Sequence, residues 1–357
     1  MSGGHRILLL NSTSSLIVSV LGLIWPIPLL YYTLQFKFIH HVQRAILIGM
    51  ILTYRITILH YIYHNPFNKS MIYLITSIYY VFTCKDVVLL LTTHDKIPFK
   101  LFVFNYFTMR KDWLVNNTTD IHTQSYTTRC LLLLPKALFT QYYVIPNIHQ
   151  YDDIDIDNDI LLIQYAYSFG LFVYCYIDLF SELVILPYRY TSTYINSYVL
   201  DNKTSNDKHI IRPFWPYLCS PLFCTSIYDF WSSKWHQMTS DAFKNIIYKP
   251  VRYVTNSRAL ALISILLFSG LFHQVALFYT TFNYYDYSQI LFFTIHGTIC
   301  AAELQLQQLL PNRSQYIPTL YKIIYFHFVM AVTSLILFKP FAQQHWSQHL
   351  PHSILPL

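Results

Sequence analysis

A chain of 357 residues that is 54% hydrophobic and only 11% charged lies far from an ordinary soluble domain, in which about a quarter of the residues carry charge. Its 32 Tyr and 26 Phe against 7 Gly exclude a disordered chain and supply the amphipathic rings that collect at bilayer interfaces. The net charge of +7 does not make a nucleic-acid binder, because the bases sit in loops between apolar runs and form no basic soluble face.

Windows of about 20 apolar residues, the length that crosses a hydrocarbon core, predict spans at 15–36, 42–62, 71–93, 129–146, 160–186, 258–282, 288–308 and 319–339. The expected fold is all-α, a single multi-pass membrane domain over 1–357 with about eight spans, an interfacial cytosolic helix and an intramembrane cavity. The first window continues apolar through LIWPIPLLYY (23–32) with no small-residue cleavage site, so it reads as a retained signal anchor. The third carries Lys85 and Asp86, and the fourth is short and holds Pro135. With all eight windows spanning, Lys37, Arg44, Lys96, Lys100, Arg110, Lys111, the interval Arg189 to Arg252 and Arg313 fall on one side. The acidic YDDIDIDND (151–159) and Asp286 fall on the other. The excess of bases makes the first side cytosolic, with both termini lumenal and the endoplasmic reticulum as the expected membrane. The sequons at Asn11 and Asn68 are then lumenal. The acidic run lacks the central Gly and terminal Glu of a calcium loop and reads as solvated. Six cysteines show no C-x-x-C spacing; only Cys219 and Cys224 are near enough in sequence to test as a bridge, and they are expected to stay reduced.

The longest polar interval, 187–257, contains RPFWPYLCSP (212–221), which its three prolines keep from being a regular helix. SIYDFWSSKWHQ (226–237) follows. Ser226 and Asp229 fit an S-x-x-D cap, and no Pro intervenes before Pro250, so a helix is expected from Ser226. Asp229, Ser233, His236 and Ser240 would share one polar stripe on it. The bland reading of this stretch is an interfacial helix with Trp231 and Trp235 as anchors. Asp229 and His236 are seven residues apart, about 10 Å of helix, and do not form a dyad.

LLFSGLFHQ (266–274) lies in the middle of the sixth window. His273 is 15 residues beyond Arg258, roughly 22 Å along a helix. An ionisable group at that depth is costly unless it serves a function or a helix pairing. Ser269 and Gly270, one turn earlier, offer close approach to another helix or a ligand. On the next window His296, Glu303 and Gln307 share one face and are expected to point inward toward a shared wet cavity. Asp178 and Glu182 either join it or pair with a lysine near the membrane edge.

The joint pattern of SxxDFW, KWHQ and then FSGLFH (268–273) resembles the wax synthase-like branch of the membrane-bound O-acyltransferase superfamily, which includes fungal secondary-metabolite acetyltransferases. The resemblance covers about 210–310; upstream, MRKDWL (109–114) and TTRCLLLL (127–134) resemble the family's Arg and Trp positions. It implies that His273 is the essential histidine and that Asp229, Trp231, Lys234, Trp235 and His236 build a second site near it, with His236 where relatives carry Asn or His. Ser269, Gly270, His296 and Glu303, by their place on the helix faces, and Arg110 and Trp113, by the upstream resemblance, are expected substrate contacts. Ser232 and Ser233 depart from the family's Gly and basic pair, leaving Lys234 alone for any phosphate. The implied reaction passes an acyl group from acyl-CoA to a lipophilic alcohol, with membrane lipids as surroundings and neither a metal nor a bound cofactor. His273 acts as general base, a polar group such as His236 steadies the oxyanion, and cytosolic bases attract the CoA phosphates.

Two other classes stay open, with a catalytically silent relative as a third reading. Buried His, Glu and Asp also mark transporter or channel paths. HYIYH (60–64) and HWSQHLPH (345–352) suggest a membrane di-iron desaturase or hydroxylase, although no H-x-x-H-H occurs. The acceptor, the acyl length and the oligomeric state are not written in the sequence.

Overall fold

A computed structural model describes residues 24–35, 41–63, several positions between 76 and 90, 134–150, 160–179, 221–235, 237–281, 286–310, 317–344 and 346–349. Among the described residues all regular structure is helical, with no strand. The principal helices are α1 (Pro26–Gln35), α2 (His41–Tyr63), α3 (Ile160–Leu179), α4 (Gln237–Phe243), α5 (Lys249–Thr255), α6 (Arg258–Thr281), α7 (Ser288–Leu309) and α8 (Thr319–Gln343). Among the described residues three stretches are long and apolar enough to cross a membrane: Ile160–Leu179, Arg258–Tyr279 and Thr319–Gln343. Within the described residues α2 contributes a shorter apolar run, Ile46–His60.

The chain divides into two compact units, Met1–Met109 with Ala242–Gln305 and Arg110–Asp241 with Leu306–Leu357. In the first, Ile27 and Leu30 of α1 pack with Leu47 and Ile51 of α2 and with Leu90. A second cluster joins Cys84, Ala242 and Phe243 to Tyr80, Ile246, Ile265 and Phe268. Between them Arg55, buried mid-way along α2, places Nη2 2.6 Å from Asp86 Oδ2. Its Nη1 donates to Thr83 Oγ1 at 2.6 Å and to the Tyr79 carbonyl at 3.3 Å. Asp86, which weakened the third window as a span, is thus a partnered charge.

The run into α6 passes through Pro250 without ending there. A π-turn over Lys244–Tyr248 precedes Pro250, which then sits in the first turn of α5. The backbone stays helical from the π-turn through Pro250, and the wider turn relieves the clash of its ring with the preceding carbonyls. The helix continues to Thr255 and stops at Asn256, which is left-handed at φ 52° and donates its N–H to the Arg252 carbonyl. Ser257 caps α6 at once, its Oγ accepting from Leu260 N at 3.2 Å. A two-residue joint therefore separates α5 from α6.

In the second unit α3 and α8 meet through Phe169, whose ring centroid lies 5.1 Å from Phe338 and 5.6 Å from Phe341. Lys136 forms an ion pair with buried Asp178, so of the two roles open to Asp178 it takes the pairing with lysine. Glu182 lies outside the described residues.

Candidate active site

Helices α6 and α7 are held together by two glycines, one from each. A Cβ added at Gly270 would stand 3.0 Å from Ile290 Cα and 3.0 Å from Phe293 Cβ, and one at Gly297 would stand 3.1 Å from Ile263 Cα. Ile263 precedes Gly270 by seven residues and Ile290 precedes Gly297 by seven, so the helices run antiparallel with a single register. Backbones approach this closely only where a side chain is missing. Gly270, expected as a substrate contact, instead faces the backbone of α7.

This close approach sets the surroundings of His273. Its imidazole, half-buried one turn after Gly270, lies 4.8 Å from the ring of Phe293 at an interplanar angle of 10°. Phe272 beside it stacks on Tyr80 at 3.5 Å. Ser269 is buried, and Gln274 buries its Oε1 without a hydrogen-bond partner among the described residues.

The register separates the two histidines. His296, 0% exposed, stands level with Ser264, nine residues and about 13 Å along the axis from His273. Glu303 is half-buried, level with Ser257 near the start of α6, and Gln307 is exposed. The polar face of α7 thus runs outward along its length and does not point inward throughout. The two residues reach different depths from His273.

In the second unit Ser226 caps as expected: extended at φ −163°, it accepts the Asp229 N–H on Oγ at 2.9 Å. The helix it starts is brief. After Ile227–Asp229 the chain widens into a π-turn over Phe230–Lys234 and becomes extended at Trp235, φ −106° and ψ 134°. The continuous helix and single polar stripe expected from Ser226 are therefore absent, because Ser233 competes for local backbone. Its Oγ donates toward the Asp229 carbonyl at 2.9 Å and carboxylate Oδ1 at 2.6 Å. Such π-turns recur at functional sites. Buried Phe230 stacks on Trp235 at 5.1 Å and meets Trp231 edge-on at 4.9 Å and Phe326 of α8 at 5.5 Å. His327 Nε2 is 3.0 Å from the Leu222 carbonyl, so α8 holds this stretch at two points. Lys234 is half-buried. Burial pushes the Cys224 thiol up to about 12, with Asp229 adding to the rise and Lys234 opposing it. Cys84, Cys175, Cys224 and Cys300 are free thiols.

Arg110, Trp113 and His236 lie outside the described residues, as do Cys219 and the acidic run at 151–159. Among the described residues no three His, Cys, Asp or Glu side chains converge as a metal site. Sequence reasoning missed Arg55, Gly297 and Phe293. Arg55 carried a usable signal, a base inside one apolar window and an acid inside the next; Phe293 carried none.

With this geometry in view, residues 215–295 match the sequence profile described as "Membrane bound O-acyl transferase family". That region resembles the wax synthase branch, and with its apolar helices the chain is an integral membrane protein. "Probable long-chain-alcohol O-fatty-acyltransferase 6" of Arabidopsis thaliana is 30% identical over 137 residues, 36% of this chain and 39% of that protein. "Long-chain-alcohol O-fatty-acyltransferase" of Simmondsia chinensis is 32% identical over 101 residues, 26% of this chain and 29% of its own. "Acyl-CoA--sterol O-acyltransferase 1" of Arabidopsis thaliana is 27% identical over 131 residues, 35% and 38% of the two chains. The matched region thus spans between 29% and 39% of these relatives. No solved structure matches the chain.

Proposed function

We propose that the protein is a membrane-bound O-acyltransferase that passes an acyl group from acyl-CoA to the hydroxyl of a lipophilic alcohol, with His273 as general base. The observation that carries this reading is the setting of His273. It is an imidazole inside an apolar helix, held on one face by Phe293, within the region that matches the family. A neutral imidazole takes the hydroxyl proton as the oxygen attacks the thioester carbonyl carbon. The tetrahedral intermediate collapses with cleavage of the C–S bond. The CoA thiolate takes the proton from the imidazolium, giving ester and free CoA.

His236 is assigned the oxyanion and Lys234 a CoA phosphate, with Arg110 and Trp113 completing the donor side. Relatives named for long-chain alcohols and for sterols support an apolar acceptor reaching His273 laterally from lipid. About eight spans, the endoplasmic reticulum and a cytosolic 187–257 interval belong to the same reading, by the charge of the loops.

The test is CoA release and ester formation by purified protein in nanodiscs, with acetyl-CoA or palmitoyl-CoA and pooled fatty alcohols and sterols. Turnover that His273→Ala abolishes supports the reading. Turnover that survives in His273→Ala removes His273 from the chemistry.

A further inference from the structure

The stretch from Lys249 to Arg258 plays no part in the site above, yet its chemistry is distinctive. Between Asp241 and Asp286 the chain contains no carboxylate. Lys249 and Arg252 are held by neutral amides instead: Lys249 Nζ donates to Asn245 Oδ1 at 2.7 Å, and Arg252 Nη1 to Asn256 Oδ1 at 2.9 Å. These i to i+4 bonds order both cations without neutralising them. Arg258 stands level with Glu303, whereas among the described residues no ion pair engages Lys249 or Arg252. Beside them, Tyr253 is 90% and Val254 81% exposed, the two most exposed large apolar side chains among the described residues.

Position supplies the second argument. The joint at Asn256 and Ser257 leads directly into Arg258, the first residue of a stretch able to cross the membrane. Tyr253 and Val254 therefore lie within a turn or so of where hydrocarbon begins. A bare tyrosine and valine directly after two cations held by neutral amides, at the mouth of a span, match a surface that is anionic above and apolar beneath. A soluble nucleotide offers only the anion, and an acidic protein surface would not reward the apolar pair.

We propose that Lys249–Arg258 docks on the anionic phospholipid headgroups of the leaflet in which α6 begins. Tyr253 and Val254 insert below the phosphates, and Lys249 and Arg252 engage them. The docking is independent of the acyl-transfer reading. It fixes the depth at which α6 enters the bilayer.

The test uses the full chain with Val254→Cys carrying an environment-sensitive fluorophore, and with Cys130 and Cys219 changed to Ser so that only the new thiol reacts. It is placed in nanodiscs of phosphatidylcholine alone, or of phosphatidylcholine with phosphatidylserine. The expected result is blue-shifted emission, quenched by a lipid spin-labelled near the headgroup, in the discs that contain phosphatidylserine. Each cation at an anionic surface changes occupancy about fivefold, so Lys249→Gln with Arg252→Gln should return the emission toward that of water. Circular dichroism of that variant controls for folding. Water-like emission in both disc types overturns the proposal, as does equal burial in both, which would make lipid charge irrelevant. A shift produced only by added acyl-CoA or by self-association overturns it as well.

Discussion

The imidazole of His273 lies flat against the ring of Phe293, 4.8 Å away and 10° from parallel. A stacked neighbour fixes the plane of the ring but leaves open the directions in which its nitrogens exchange protons, which lie in that plane. On the proposed mechanism an attacking hydroxyl must then arrive edge-on. When the base becomes cationic it does so over an aromatic face that favours the charge. Phe293→Leu should lower kcat about tenfold to a hundredfold, the range expected when a catalytic group loses its positioning. KM should stay within about twofold of the wild type, and Phe293→Tyr should restore most of the rate. Steady-state kinetics of the three proteins decide it; an unchanged kcat in Phe293→Leu would make the stack mere packing.

The two glycines of the α6–α7 pair separate stability from turnover. Alanine at either position brings a Cβ within 3.0 to 3.1 Å of the facing backbone and should cost about 1–3 kcal/mol of stability. Only Gly270→Ala also displaces Phe293, so only that variant should lose kcat per folded molecule. Gly49 on α2 has nothing within 4 Å. Alanine there should be neutral or stabilise by roughly 0.5–1 kcal/mol. Thermal unfolding in detergent, read beside activity, checks all three.

Arg55 and Asp86 are 3% and 2% exposed at their side chains. Removing one partner strands the other, so Arg55→Met should destabilise the protein by about 3–5 kcal/mol. Replacing both, as Arg55→Met with Asp86→Leu, should recover most of that loss, since an apolar pair of similar volume often substitutes for a buried ion pair. Chemical unfolding midpoints test the non-additivity.

Cys224 should be inert in the folded protein. With its thiol pushed up to about 12, about one molecule in ten thousand carries the reactive thiolate at pH 8. The thiolate fraction rises tenfold with each pH unit up to that value. Alkylation with iodoacetamide at pH 8, followed by peptide mass spectrometry, should label Cys224 only after denaturation. Rapid labelling of the native protein would contradict the burial.

The apolar windows were legible because helix length and hydrophobicity are local properties. The windows 42–62, 258–282 and 288–308 became α2, α6 and α7 within a residue or so at each end. The Ser226 cap was legible for the same reason, being four residues of side-chain chemistry. At 319–339 the helix instead continues to Gln343 through Pro340, and at Pro250 it also continues, because neighbouring turns absorb the ring. The π-turn at Phe230–Lys234 was not legible, since it depends on where Ser233 finds acceptors and on α8 holding Phe230. Nor was the partner of His273: α6 and α7 each display several aromatics, and only the register set by Gly270 and Gly297 selects Phe293.

The two-residue joint at Asn256 and Ser257 makes α6 a lever. Fifteen residues of helix reach about 22 Å, so a tilt of roughly 10° at the joint sweeps His273 sideways by about 4 Å, more than the length of a hydrogen bond. A helix of 24 residues is about 36 Å long, longer than a hydrocarbon core of about 30 Å, and accommodates the excess by tilting. On the proposed mechanism bilayer thickness therefore becomes an input to the chemistry: lipids with longer or shorter chains would aim the same imidazole at different points.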